Sequence, residues 1–422
     1  MGMTIAEKIL ARASGREGVS PGEIVVVKVD TAVVIDMGFY PGLWRWPTRV
    51  WDPEKVVVIH DHVVPPKDVQ SAQALQTGRR FVREYGIARF HDVGPSQGIA
   101  HQVAADEAYA RPGTVLVCID SHTCSGGALN CCARGIGAPE LTYVLAKGET
   151  WFQVGPTVKY ELHGTLAPWV TAKDVFFHIA GRWGSHATLN VEFGGPALGS
   201  LSLDARRTLS TMCAEVSAEF ALWPPDDVLL SHVKSRTTLP FHPTWPDPDA
   251  RYVEVRRVDL DALGPYVARP DTVVHNTLPI GELSEQVRLD QCFVGSCANG
   301  TLDDLATVAA VVRGKQVAPG VRFIVTPGSQ RIYREAARLG IVNTLIQAGA
   351  LVTTSACGAC AGLDFGALGP GEVCLTASTR NFKGRMGHPD ARIWMGSPAT
   401  VAASALTGYI TDPRAVGGGA RA

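Results

Sequence analysis

The chain lacks any block of lysine or arginine, and its formal net charge is −1 over 422 residues. A basic face that could track nucleic-acid phosphates or hold an anionic membrane surface has no footprint here. Long apolar runs are also missing, and nothing approaches the roughly 18 residues needed to span a bilayer. The opening residues, Met1-Gly2-Met3-Thr4-Ile5-Ala6-Glu7-Lys8, read as the start of a capped amphipathic helix and not as a secretion signal. No segment repeats at a fixed short period, and none is low in complexity. No G-x-G-x-x-G follows a strand, because Gly135-Ile136-Gly137-Ala138-Pro139 is broken by proline, which excludes a dinucleotide-dependent dehydrogenase. Ten cysteines without a secretion signal suit a reducing compartment, so the cytoplasm is the expected location.

What is present is ordinary globular composition, 46% hydrophobic and 19% charged, in a chain too long for one core. Apolar runs of roughly four to eight residues alternate with helix-period segments, the pattern of an α/β protein with mostly parallel sheets. Strands are expected at Ile24–Val29, Val56–Ile59, Val115–Ile119, Val158–Leu162, Cys292–Val294, Phe323–Val325, Leu351–Thr353, Val373–Thr376 and Ile393–Met395. Helices are expected at Asp68–Tyr85, Thr171–Ile179, Asp204–Ala221, Asp303–Val312 and Gln330–Leu339. Pro240-Phe241-His242-Pro243-Thr244-Trp245-Pro246-Asp247-Pro248 can be neither helix nor central strand and should wrap over the surface. With a second break near Gly155-Pro156, the expected domains are 1–157, 158–270 and 271–415, followed by a flexible tail at 416–422.

Open α/β sheets bind ligands outside the carboxyl ends of their strands. In this chain those ends carry the chemistry. His60-Asp61-His62 follows Val56–Ile59, and Asp120-Ser121-His122-Thr123 follows Val115–Ile119. Cys297 follows Cys292–Val294 in Gly295-Ser296-Cys297-Ala298-Asn299. Cys357 and Cys360 follow Leu351–Thr353 in Ala356-Cys357-Gly358-Ala359-Cys360, and Arg380 and Arg385 follow Val373–Thr376. A C-x-x-C alone could be a redox pair or a zinc half-site. With Cys297 it makes three thiolates, one short of a closed iron–sulfur or zinc site, and leaves a metal corner open to a substrate. Singly, Asp61 and Asp120 could cap turns and each histidine could be a packing residue. Together they sit where one crevice would gather them. Cys118, Cys131 and Cys132 read as packing residues.

These motifs, with Gly98-Ile99-Ala100-His101-Gln102 and Arg380-Asn381-Phe382-Lys383-Gly384-Arg385, make the chain resemble the large subunits of aconitase-family hydro-lyases. The resemblance runs from about Thr4 to about Pro413 and favours the isopropylmalate isomerase and homoaconitase branch. It implies three α/β/α domains around a central [4Fe–4S] cluster held by Cys297, Cys357 and Cys360, with one iron lacking a protein ligand. It implies catalytic pairs Asp61 with His62, Asp120 with His101, and Glu215 with His122. Arg380, Arg385 and Ser121 would bind substrate, the arginines taking carboxylates.

The implied reaction moves a hydroxyl from carbon 2 to carbon 3 of a diacid by dehydration and rehydration. Isopropylmalate of leucine biosynthesis is the leading substrate, and homocitrate-type or substituted malates of a specialised pathway are the alternative. RNA binding by a cluster-free form is the non-enzymatic alternative, and the charge balance counts against it. Family members commonly have threonine at Ala298 and asparagine at Thr211 and Thr379, where amides would donate to sulfur. No serine here matches the family's catalytic base, so a separate small subunit, the swivel domain, is the expected partner.

Overall fold

The computed structural model describes residues 2–42 and 45–416; residues 417–422 of the expected tail lie outside them. The fold class is the expected one, with mostly parallel sheets covered by helices. The first sheet runs Arg89–His91, Val56–Ile59, Thr31–Ile35, Val115–Cys118 and Cys132–Gly135 in spatial order, all parallel. Its three middle strands are buried along their whole length, which is why they read as unbroken apolar runs. Helix Val69–Tyr85 is started by the Asp68 side chain accepting the Ser71 N–H and stopped at Gly86 in the left-handed conformation. Thr4 and Glu7 form the reciprocal cap expected at the first helix, Ile5–Ser14. That helix packs on an antiparallel ribbon, Ile24–Lys28 with Glu149–Gln153, whose alternate residues are buried.

The second sheet orders Ala221–Leu222, Asn190–Gly194, Thr157–His163 and Glu254–Asp259, again all parallel. Its core includes Phe193 stacked between Tyr160 and Trp223. The third sheet orders Thr277–Pro279, Tyr266–Ala268, Arg392–Gly396, Val373–Thr376, Gln291–Val294, Arg322–Val325 and Leu351–Val352. Its last five strands are parallel and its first two antiparallel. Tyr266–Ala268 therefore pairs with the third sheet, ahead of the break expected near residue 270.

Every expected strand occurs, with ends displaced by a residue or so. One expected helix is corrected. The Asp204–Ala221 segment is helical only over Leu203–Met212, then tightens into a 3₁₀ turn at Cys213–Val216. Ser217, at φ 64°, ends it, and Ala221 belongs to a strand. The tight turn carries Glu215 to within 2.8 Å of His122.

The proline-rich segment folds back over the first sheet as a strap. The His242 N–H donates to the Pro112 carbonyl at 2.8 Å. The Asn130 side chain accepts the Thr244 N–H and donates to the Thr244 carbonyl, both at 2.9 Å. The first and third sheets meet with their carboxyl ends together. Ile99 N–H donates to Gly328 O, Gln330 N–H to Gln97 O, and Cys357 N–H to Asp61 O, at 2.8–2.9 Å.

Candidate active site

One wall of the junction belongs to the first sheet and is built from carboxylate-paired imidazoles. Asp61 Oδ1 lies 2.7 Å from His62 Nδ1, and its Oδ2 accepts the Ala100 N–H at 2.8 Å. Asp120 Oδ1 lies 2.8 Å from His101 Nε2 and accepts the His122 N–H at 2.8 Å. His122 Nε2 lies 2.8 Å from Glu215 Oε1. All three pairs implied by the resemblance are thus in contact. His62 Nε2 points toward Asp120 at 3.8 Å, which links the pairs into one row. A carboxylate on one ring nitrogen fixes the tautomer and orientation of the other.

The electrostatics follow from that pairing. Burial alone would push the His62 ring down, but the charges of Cys357 and Asp61 and the hydrogen bonds to Asp36 and Asp61 hold it well above its ordinary range. Burial opposes ionisation of Asp120 as well, yet His101 and His122 keep it well below the usual carboxylate range. Glu215 is likewise held down, against burial, by His122 and Arg380.

The opposite wall comes from the third sheet. Cys297 is the second residue of a short helix, Ser296–Asn299, that follows strand Gln291–Val294 after Gly295. Ser296 ahead of it stands at φ 81°, a left-handed conformation that costs a non-glycine residue about 1–3 kcal/mol. Cys357 and Cys360 sit on a tight turn at Gly358–Ala361. Gly362, at φ 64°, ends that turn 2.9 Å from the backbone of Met386 and Gly387 for any added Cβ, so only glycine lets it close on the Arg385 loop.

Burial pushes the Cys297 thiol well up, and it feels the charges of Asp120, Cys360 and Cys357. Burial is overcome at Cys360, where Arg385 and His122 pull the thiol below its ordinary value. Among the described residues, the one trio of donors within 4.8 Å of each other is Asp61, His62 and Cys357. The three cysteine sulfurs do not all lie within that distance of one another, so they are not gathered around a single bare ion. Both Asp61 oxygens in the tighter trio are already occupied by His62 and Ala100.

The arginines behave differently from each other. Arg380 Nε donates to Glu215 at 2.8 Å and Nη2 to Ser121 Oγ at 2.7 Å, so both residues of that expected substrate contact are engaged with protein. Arg385 Nη2 approaches Cys360 Sγ at 3.8 Å, and its buried Nε has no partner among the described residues. An open, buried guanidinium nitrogen is what a ligand carboxylate would fill.

Two buried groups were not read from the sequence. Asp36 accepts the N–H groups of Asp61, His62 and Val63 at 3.3, 3.0 and 2.9 Å and lies 3.6 Å from His62 Nδ1. The signal was available, since Asp36 directly follows the buried strand Thr31–Ile35. Lys173 is fully buried, donates to the carbonyls of Ala377 and Ser378 at 3.1 and 2.7 Å, and is pushed down to about 8 by burial. Of the three departures, Thr379 Oγ1 lies 3.7 Å from Cys360 Sγ, whereas the Thr211 hydroxyl donates to Arg207 O within its own helix. Ala298 is buried, and its carbonyl accepts the Thr208 hydroxyl at 2.8 Å.

The fold thus brings paired imidazoles from one sheet opposite thiols from another, at facing strand ends. The aconitase family (aconitate hydratase) matches residues 45–286 and 277–408. The chain belongs to that family. It is 52% identical over 416 residues to the 3-isopropylmalate dehydratase large subunit of Mycolicibacterium smegmatis, covering 99% of this chain and 98% of that one. It is 42% identical to 3-isopropylmalate dehydratase large subunit 1 of Methanopyrus kandleri, with 98% and 99% covered. The holo-form crystal structure of Thermococcus kodakaraensis aconitase X shares the fold with a TM-score of 0.50 at 11% identity, covering 87% of this chain and 88% of that one. No helix among the described residues is long and apolar enough to cross a membrane.

Proposed function

We propose that the chain is the large, cluster-bearing subunit of a cytoplasmic 3-isopropylmalate dehydratase, which converts 2-isopropylmalate into 3-isopropylmalate in leucine biosynthesis. The carrying observation is the row of three histidine–carboxylate pairs facing three thiols across one crevice. Near-full-length similarity to large subunits of that name supports the substrate.

Cys297, Cys357 and Cys360 would hold a [4Fe–4S] cluster. When bound, that cluster supplies Lewis acidity toward the substrate hydroxyl at an iron with no protein ligand. The rest is done by side chains. His62, oriented by Asp61 and Asp36, gives a proton to the departing hydroxyl. His101 and His122 are oriented by Asp120 and Glu215 and hold the polar end of the substrate. Arg385 takes a substrate carboxylate through its guanidinium, and Arg380, held by Glu215 and Ser121, offers its remaining N–H groups to the second. The carbon-bound proton is left to a serine base on the small subunit, which also closes the crevice against water.

The test is hydratase activity followed as alkene absorbance. The chain alone should turn over 2-isopropylmalate negligibly, and adding the small subunit should restore activity. Substantial turnover by the chain alone would overturn the two-subunit reading. A preference for homocitrate or an unbranched malate in the complex would overturn the substrate.

A further inference from the structure

The first sheet has a second end, away from the crevice. Its strands start at Thr31, Val56, Arg89 and Val115. Residues just ahead of those starts line a cavity of about 430 Å³. Arg12 enters from the first helix, Lys28 from the ribbon, Lys55 and Arg111 from the turns before two strands, and Arg89 from a third strand. The proline-rich strap forms the remaining wall through Leu239, Pro240 and His242. Gly113 makes this closure possible. At φ 71° it has no Cβ, and one there would lie 2.1 Å from the His242 carbonyl and 2.5 Å from Arg12 Nη2.

The charges in this cavity do not balance. Three carboxylates face five cations. Asp30 accepts the Val115 N–H at 2.9 Å, and Asp52 caps its own turn by accepting the Glu54 N–H at 3.0 Å. Glu54 stands 4.0 Å from Arg89. Among the described residues, Arg12, Lys28, Lys55 and Arg111 have no carboxylate within 4.0 Å. Arg12 and Arg111 feel the charge of Asp30 without pairing with it. Arg111 is only 6% exposed. Its Nη1 reaches the carbonyls of Ala108 and Tyr109 at 3.5 and 3.3 Å, and its Nε has no partner. That nitrogen has no exposed surface, so what Arg111 brings to the cavity is a positive charge that no carboxylate pairs.

We propose that this cavity binds a phosphate group, carried by inorganic phosphate or by a small phosphomonoester. A planar carboxylate is best served by one two-pronged arginine. Cations arriving from five separate segments suit a tetrahedral dianion with oxygens on every side. The phosphate fills only part of the space, which leaves room for a small organic body.

The test is isothermal titration of the full chain, alone and with its small subunit, with inorganic phosphate and with AMP as the phosphomonoester. Both probes should bind one to one. Lys28→Glu with Lys55→Glu should weaken binding roughly tenfold or more through charge reversal alone. Both side chains are at the cavity rim, so this variant keeps the fold and the hydratase activity. Arg111→Met should weaken binding as well, and Glu54→Gln should strengthen it. Tighter AMP supports the site with an ester as occupant; tighter inorganic phosphate supports it with the free ion. No saturable binding of either probe up to about 10 mM, or binding untouched by the lysine reversals and by Arg111→Met, would overturn the proposal.

Discussion

The two walls of the crevice come from sheets of the same kind, yet they are finished differently. On the first sheet each functional group already has its partner: His62 has Asp61, His101 has Asp120, and His122 has Glu215. On the third sheet the groups are crowded but incomplete, with Cys297 pushed far from its thiolate form and Arg385 Nε unpaired. Proton-transfer groups must be aimed before the substrate arrives, and hydrogen bonds within the protein can do that. Ligands for a cofactor must stay open until it arrives. On the proposed roles, the acid–base wall is complete as folded, and the thiol wall is completed by the cluster it would bind.

The sharpest way to break this contrast is at the thiols. Cys297→Ser, Cys357→Ser or Cys360→Ser should each abolish cluster colour and all hydratase activity, while Cys131→Ser keeps both. Retained absorbance in Cys357→Ser would remove that residue from the ligand set. Next comes the acid–base wall. His101→Asn should lower kcat by roughly 10²–10⁴-fold with the cluster intact, the usual size for a positioned acid–base group. Wild-type turnover in the reconstituted complex would deny the Asp120–His101 pair a catalytic role. Arg385→Lys should weaken substrate binding in the complex, raising KM more than it lowers kcat, because an ammonium cannot make the two-point contact.

Asp36→Asn should cost about tenfold in activity and shift the acidic arm of the pH profile, the scale of a group acting through an oriented partner. An unchanged profile would mean that Asp36 only caps the turn. The smallest effect lies far from the crevice, at the pair Arg322–Glu372, with contacts of 2.7 and 2.8 Å. Hydrogen bonds from Arg322 and the Gly369 N–H lower Glu372 to about 2 from 4.5. Its stabilisation is present above pH 4.5 and lost as pH falls toward 2. Because the pair is substantially exposed, Glu372→Gln should cost about 1 kcal/mol or less at neutral pH and nothing below pH 2. Equal destabilisation at every pH would assign the effect to packing.

Much of this layout was legible because parallel strands buried on both faces are written as plain apolar runs with their chemistry at one end. Val56–Ile59 before Asp61 and Val115–Cys118 before Asp120 are the clearest cases. The end of the helix before Glu215 is not legible because Cys213–Val216 contains no glycine or proline to break it, and the left-handed Ser217 leaves no mark in the sequence. Lys173 was invisible for a related reason: its partners include the carbonyls of Ala377 and Ser378, about two hundred residues on in the chain, and backbone acceptors carry no sequence signature. Arg380 and Arg385 looked equivalent in one motif, and only their surroundings separate the arginine already bound to Glu215 from the one with an open nitrogen. The basic cavity escaped notice because its five cations are scattered from Arg12 to Arg111 and form no run.

The most direct test of the central claim is the iron and acid-labile sulfide content of the full chain purified without oxygen. The three-thiol wall predicts about four irons and about four sulfides per chain, with one iron lost readily on exposure to air. Stoichiometric zinc without sulfide would contradict it.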